Sequence, residues 1–430
     1  MALGGGTFLV QNKVLPGAYI NFVSRPRAMG HLGERGVLCM AMALDWGQEG
    51  MMSIEAEDFQ KNAKDIFGYD YTNDALKRLR EAFMGAKTVK LYRLNGGEKA
   101  KAMLGALSVA ARCSGARGND LQVAIVGSLD EENVFEIKTY LDYTLVNVQE
   151  VTTIADIKDN EFVTFGGSGS LEASAAVTLT GGESAAVAGS GYADFLEAAE
   201  AEDFHVLLYD GADVVTKKLF VNFTKRMRDD EGVKFVTVLH DYADADHEGI
   251  ISVGTAKELV YWVAGMEAGA NVNESLTNAA YDGEYDIRVK ESKSSFIKRI
   301  QKGEFVFYED GDKIRVLRDV NTFTSFESVK NSDFCSNRVV RVLDSIANDV
   351  ARIFSQYYLG KQSNNNNGRN LLKAEIIAYH EQLQGIEAIE NFAAEDITVS
   401  AGAQKQDVVV YEAVQPTDAM EKLYMKVEVV

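Results

Sequence analysis

Two side chains could begin a nucleophilic hydrolase: Asp210, after one apolar run, and His240, after the next. An Asp and then a His, each closing a strand, is the chain order of a subtilisin-type triad. The third member would be a Ser opening a downstream helix, with backbone N–H donors beside it. Gly254-Thr255-Ala256 stands where that Ser would be sought and carries Ala256 instead, and no His-Gly-Thr-His stretch occurs. The sequence therefore predicts no catalytic residue. His240, Asp241, Asp244, Asp246 and His247 have metal-ligand side chains. Their spacing matches neither a helical His pair nor a calcium loop, so a solvated loop and no metal are expected. Gly166-Gly167-Ser168-Gly169-Ser170 lacks the Lys-Ser/Thr ending of a phosphate cradle and opens no predicted helix; it reads as a turn, with no cofactor. Subtilisin-like hydrolysis and a metal- or ligand-binding module stand as the alternative functions.

The elements that must position these residues change along the chain. A region to about residue 86 carries two helices, Ser53 to Phe67 and Thr72 to Met84, each stopped by a glycine. From Thr88 to Leu179 short β-like runs alternate with Gly, Asn and Asp clusters, which suggests a sandwich or barrel. The runs include Thr88–Tyr92, Ala102–Ala110, Leu121–Val126, Phe135–Tyr140 and Phe162–Phe165. An Ala/Gly/Ser-rich linker, Gly181 to Gly191, follows. From Tyr192 the order becomes strand, helix, strand, helix, which implies a parallel sheet. Val215, Leu219, Phe223 and Met227 mark one helix face, and a hairpin of Glu304–Tyr308 and Lys313–Leu317 turns at Asp310-Gly311. Val339, Leu343, Ile346, Val350, Ile353 and Tyr357 predict a long amphipathic helix. After the polar loop Asn364–Gly368, Leu372, Ile376, Tyr379 and Leu383 predict a second.

Both ends of the chain alternate apolar and polar residues. Ala18, Ile20 and Phe22 interleave with Tyr19, Asn21 and Val23; Leu423, Met425, Val427 and Val429 interleave with Tyr424, Lys426 and Glu428. Each reads as a half-buried strand with free backbone groups that must pair with some sheet edge.

Composition narrows the function classes. The net charge of -20 argues against nonspecific duplex nucleic-acid binding. No apolar run reaches the roughly 20 residues of a membrane span. Met1-Ala2-Leu3-Gly4 lacks a basic region before an apolar core, so no secretion signal is expected and the Asn222 and Asn273 glycosylation patterns read as chance. Cys39, Cys113 and Cys335 are too far apart for a disulfide framework and fit synthesis in a reducing cytoplasm. In so acidic a chain, Lys361, Arg369 and Lys373 around the polar loop are a candidate patch for an acidic partner.

Six stretches carry a resemblance. They are Gly4–Phe8 with Leu15–Phe22; Gly303–Phe307 with Arg318–Thr324; Asn337-Arg338-Val339-Val340-Arg341-Val342-Leu343-Asp344-Ser345-Ile346-Ala347-Asn348-Asp349; and Val414–Met425. With them the chain resembles contractile phage tail sheath proteins, of the type in phages, defective prophages and phage-tail-like bacteriocins of Gram-positive bacteria. The resemblance implies an α+β multidomain fold with a β-sandwich, a subtilisin-like α/β domain without protease activity, a C-terminal α+β domain and extended arms at both ends. The expected boundaries are an N-terminal arm at 1–28, a helical region at 29–87, the sandwich at 88–180, the α/β domain at 192–330, the C-terminal domain at 331–422 and a strand arm at 423–430. The implied function is mechanical and non-enzymatic. Six-membered rings stack around an inner tube and contract to drive it through a cell envelope, in a virion tail or tail-like particle assembled in the bacterial cytoplasm. Implied partners are other copies, the tube protein, and baseplate and tail terminator proteins, with no nucleic acid and no membrane insertion. The arms would link neighbouring subunits, and Lys361, Arg369 and Lys373 would face the tube.

Overall fold

The computed structural model describes residues 33–128 and 133–429. The chain enters on β1 (Val37–Met42), then β2 (Gly50–Glu55), helix α1 (Ala56–Phe67), α2 (Lys77–Ala82) and β3 (Thr88–Arg93). Phe59, Ala63 and Phe67 recur at helical spacing and are buried, and Gly68 ends α1 at φ 71 with its N–H on the Lys64 carbonyl. Ser53 lies in β2, so the first helix starts later than expected. Only 77–82 of the second predicted helix is α-helical.

The sandwich follows as β4 (Gly97–Glu98), β5 (Lys101–Leu104), β6 (Leu107–Ala111), β7 (Leu121–Gly127), β8 (Phe135–Leu141), β9 (Thr144–Val151), β10 (Val163–Gly167), β11 (Ser174–Thr178) and β12 (Glu183–Ser184). One sheet has the order β10-β6-β5, the other β11-β7-β8-β9. Inward residues such as Leu107, Val109, Val123, Ile125, Ile137 and Leu141 form their shared core. The predicted run Ala102–Ala110 is a hairpin, reversed at Gly105 with φ 60. The first and last strands, β4 and β12, pair with each other through Gly97 and Ser184.

After α3 (Gly191–Glu200) come β13 (Val206–Tyr209), α4 (Val214–Lys225), β14 (Val236–His240), β15 (Ile250–Val253), α5 (Leu259–Gly269), α6 (Lys293–Gln301), β16 (Glu304–Phe305), β17 (Phe307–Asp310) and β18 (Lys313–Val316). The main sheet has seven strands in the order β16-β15-β14-β13-β1-β3-β2, parallel except where β2 meets β3. This corrects two expectations. The region expected at 29–87, in its described part from residue 33, is not a separate helical region, and Thr88–Tyr92 does not belong to the sandwich. β1 through β3 complete the α/β sheet, and β1 lies inside it, between β13 and β3, where its apolar run is covered on both faces. Leu38, Met40 and Met42 face the core beneath α1, α2 and α5, whereas Cys39 and Ala41 face the core beneath α3 and α4. β16 joins the parallel sheet, so the hairpin is β17 and β18 alone.

Helices α2 and α5 touch through glycine. A methyl group on Gly265 would overlap the Ala82 carbonyl, and one on Gly269 would overlap that of Gly85. Gly265→Ala therefore should cost about 1–3 kcal/mol by forcing the helices apart. Thermal or urea unfolding of the variant checks this, and an unchanged midpoint would contradict it.

The last domain holds α7 (Asn337–Ile353), α8 (Asn366–Gly385) and the hairpin β19 (Ile397–Ala401) and β20 (Val408–Glu412). Ser336 caps α7 by accepting from Val339 N, and Asn365 caps α8 by accepting from Gly368 N. Past Ile353 the α7 backbone widens into a π-type turn through Tyr358, so Tyr357 leaves the buried face and is exposed. Leu372, Ile376, Tyr379 and Leu383 are buried as the α8 spacing predicts.

Candidate functional site

The parallel order sets Asp210 and His240 at the carboxyl ends of neighbouring strands. The structure gives Asp210 other partners. Its Oδ2 accepts from the Tyr261 hydroxyl at 2.5 Å, with Lys257 at 3.7 Å and Arg78 at 3.9 Å. Burial, with the Asp210 charge beside it, holds the Tyr261 hydroxyl well above its ordinary pKa. Burial pulls His240 below its own. Ala256 packs against the main core, where a hydroxyl nucleophile would have to stand.

The metal-type cluster also separates. Asp246, at φ 46, accepts from Thr324 N (2.8 Å) and Ser325 N (3.1 Å). His247 comes near Asp229 and Glu248, a trio of ligand types. Its Nδ1 accepts from Gly249 N at 3.0 Å, so Nε2 carries the proton and points it at Asp229, 3.1 Å away. Glu248 pairs with Lys330 at 2.6 Å. No lone pair of His247 is left for a metal, and the trio instead pins the loop after β14 to residues 322–330. Gly166 and Gly167 finish β10 and pair with Ser108 and Leu107.

What joins the domains is a buried polar network at the root of α7. Glu267, on α5, and Asp319 are 2 % exposed each. Arg341 donates to Glu267 Oε2 at 2.6 Å and lies 3.8 Å from Asp319. Asn337 Nδ2 donates to Asp319 at 2.7 Å, and Leu276 N donates to its other oxygen at 2.9 Å. Burial and the Asp319 charge outweigh Arg341 and push the Glu267 carboxyl up to about 8. One turn further along α7, Asp344 takes both arms of Arg228, at 2.6 and 2.8 Å. Sequence reasoning missed this network. Its signal was a lone Glu within the apolar helix Leu259–Gly269 and charges on the buried face of α7.

Two surfaces of the last domain lack partners. The β19–β20 hairpin stands as a two-stranded sheet, with both outer edges unpaired among the described residues. It is held to α8 by His380, whose Nδ1 is 2.8 Å from the Ile376 carbonyl and whose Nε2 is 2.9 Å from Glu412. Burial pulls the His380 pKa down, but those two acceptors outweigh it and hold it above the ordinary value. Residues 423–429 take no strand partner among the described residues. Leu423, Met425, Val427 and Val429 are between 71 % and 96 % exposed. Ala18, Ile20 and Phe22 lie outside the described residues.

The α7–α8 tip carries Lys361, Arg369 and Lys373. Lys361 is exposed and donates to the Gln356 carbonyl; Arg369 donates to Asn364 and Asn366; Lys373 is half-buried on α8. From Val350 to Ala374 there is no acidic residue. The tip also exposes Tyr357, Leu359 and Leu371, which charge counting did not reveal.

Comparison with known proteins covers almost the whole chain. Residues 35–94 match the tail sheath protein Gp18 domain III N-terminal region, 95–184 the phage tail sheath protein beta-sandwich domain, 185–322 the phage tail sheath protein central domain and 329–430 the phage tail sheath C-terminal domain. The phage-like element PBSX protein XkdK of Bacillus subtilis is 34 % identical over 99 % of this chain and 100 % of its own length. The solved sheath tail protein of Desulfitobacterium hafniense is 41 % identical over 96 % of this chain and 99 % of that one, with a TM-score of 0.83. The helical sheath of the anti-feeding prophage, solved in its contracted state, shares the fold at 12 % identity and a TM-score of 0.56, over 97 % of this chain and 99 % of that one. By these matches, and by a multidomain α+β fold that includes a sandwich, the chain belongs to the contractile phage tail sheath proteins.

Proposed function

We propose that this structural subunit polymerises as stacked hexameric rings around an inner tube and contracts to drive the tube through a cell envelope. One observation carries the reading: among the described residues, the same chain bears a strand-like arm at 423–429 with no strand partner and a β hairpin with two unpaired edges. Arm and edge are donor and acceptor for strand addition, and their repetition from copy to copy makes a polymer. Residues 18–23 would supply a second arm. The likeness in fold to a sheath in its contracted state supports contraction, and the likeness to the same prophage's baseplate supports contact with a baseplate. A tail terminator would cap the last ring, and assembly would take place in the host cytoplasm. The α/β domain is a subtilisin-like fold kept for structure, with Asp210 committed to Tyr261 and Ala256 packed against the core.

The α7–α8 tip faces the tube in this reading. Its acid-free stretch suits an acidic surface, and Tyr357, Leu359 and Leu371 add apolar contact. Exposed ion pairs are worth about 0–1 kcal/mol each, weak enough to release on contraction while many copies share the load. Electron microscopy of the purified protein with and without tube tests both claims. Striated hollow sleeves are expected, of tube-determined length when tube is present. Lys361→Glu, Arg369→Glu and Lys373→Glu together should remove the tube guidance and its salt dependence. Absence of sleeves under every condition would overturn the function, and guidance by the triple variant would overturn the tip assignment alone.

A further inference from the structure

The carboxyl-terminal segment is fastened to its own chain at three points before it is set free. Ile389 and Pro416 form an antiparallel bridge, flanked by Glu390 N on the Gln415 carbonyl (3.0 Å) and Thr417 N on the Ala388 carbonyl (2.9 Å). Ser336, the α7 cap, donates its hydroxyl to Asp418 at 3.1 Å. Glu421 then reaches the α/β domain: its Oε1 accepts from the Thr277 hydroxyl at 2.9 Å and its Oε2 from Arg318 Nε at 2.7 Å. Both side chains of the Glu421–Arg318 pair are less than one-third exposed. Beyond Glu421, among the described residues, the only side-chain pairing is the local one of Lys426 with Glu428.

We propose that Glu421, gripped by Arg318 and Thr277, is the positioning anchor of the arm. It sets the arm's free length and passes tension into the subunit core. This rests on the arm-exchange reading above. The residue after Arg318 is Asp319, which sits in the buried network with Asn337, Arg341 and Glu267. Tension on the arm therefore enters the chain one peptide from the junction of the α/β domain with α7. With the anchor broken, the next fastening is Asp418 on Ser336, and the free arm gains three residues, roughly 10 Å of reach. A longer, looser base spreads the arm over more positions and thins its effective concentration at the neighbour's edge.

The test uses the full chain with Glu421→Ala, Arg318→Met, the pair together, and deletion of 423–430. Each single variant should raise the concentration needed for polymerisation by a few-fold, because the longer, looser arm is less concentrated at the neighbour's edge, while the loss of a contact within the chain should lower the monomer melting point only slightly. The double variant should be no worse than either single, since both remove one contact. A charge swap, Glu421→Arg with Arg318→Glu, should recover part of the loss. If the singles polymerise at the wild-type concentration while the deletion does not, the anchor is wrong and the arm reading stands. If the deletion also polymerises normally, both fall.

Discussion

Deletion of residues 423–430 should leave a folded monomer that cannot polymerise. Residues 423–429 are exposed and contribute nothing to the core formed by the described residues: Leu423 is 87 % and Val429 96 % exposed. Its removal therefore should not move the unfolding midpoint. In the polymer its apolar face would be covered, at roughly 1.5–3 kcal/mol for each fully buried side chain. Ordering the segment costs about 1–2 kcal/mol per residue in backbone entropy. The two sums are close, so the contact depends on every apolar side chain and on the backbone ladder together. Val427→Lys should then do nearly what the deletion does, because each 1.4 kcal/mol is a factor of about ten in the polymerisation constant. Sedimentation and electron microscopy provide the measurement. Deletion of residues 1–23 should act likewise. Normal sleeves from the 423–430 deletion, or strong hydrogen-exchange protection of 423–429 in a proven monomer, would sink the arm reading.

Arg341→Ala should cost about 3–5 kcal/mol, the usual consequence of leaving a buried acid without its cation. Asp319 would keep Asn337 and the Leu276 amide but lose the compensating charge, and the Glu274 carbonyl would lose its guanidinium donor. Such a loss approaches the stability of many whole domains, so the α/β and C-terminal domains should separate or unfold together. Denaturant unfolding followed by probes in each domain reads this directly; a change below about 1 kcal/mol would contradict it. The same network sets a pH dependence. With Glu267 raised to about 8, the fold favours its protonated form. Its contribution is fully present below the unfolded carboxylate pKa, declines as the solution passes from there to about pH 8, and is flat above. Glu267→Gln keeps the shape without the titration. Its stability relative to the parent should therefore rise across that window, and parallel pH profiles would contradict the assignment.

Local pattern explains which parts of this fold the sequence disclosed. The α8 face Leu372, Ile376, Tyr379 and Leu383 was legible because helical spacing and burial coincide within a few turns. The α4 face was legible only in part: Phe223 and Met227 are buried, but Val215 and Leu219 are exposed, because Phe220 and Val221 turn the helix onto the sheet instead. The placing of β1 was not legible at all. Leu38 pairs with Val206 across the whole sandwich, and no property of either segment names its distant partner. That Gly254-Thr255-Ala256 carries no Ser could be read from the sequence, but the tie of Asp210 to Tyr261 could not. Of the arms, the alternation was visible; the Glu421 grip that starts the free segment depends on Arg318 and Thr277, far away in sequence.

The sandwich leaves the α/β sheet after β3 and returns before α3, and its two ends are joined by the β4–β12 pairing. Asn95 also donates to the Ala185 carbonyl at 3.3 Å, so the exit and the return are in contact. Such an insertion resembles a cassette on a stem. Its core is built from its own strands apart from Trp46 of the β1–β2 loop, and the sheet it departs from is completed by strands outside it. Recombination at this stem would exchange one sandwich for another while leaving the strands of the seven-stranded sheet in place, provided the new sandwich keeps a seat for Trp46 and a partner for the Gly68 carbonyl. The sandwich can therefore diversify in evolution at a rate less tightly coupled to the sheet on which it is mounted.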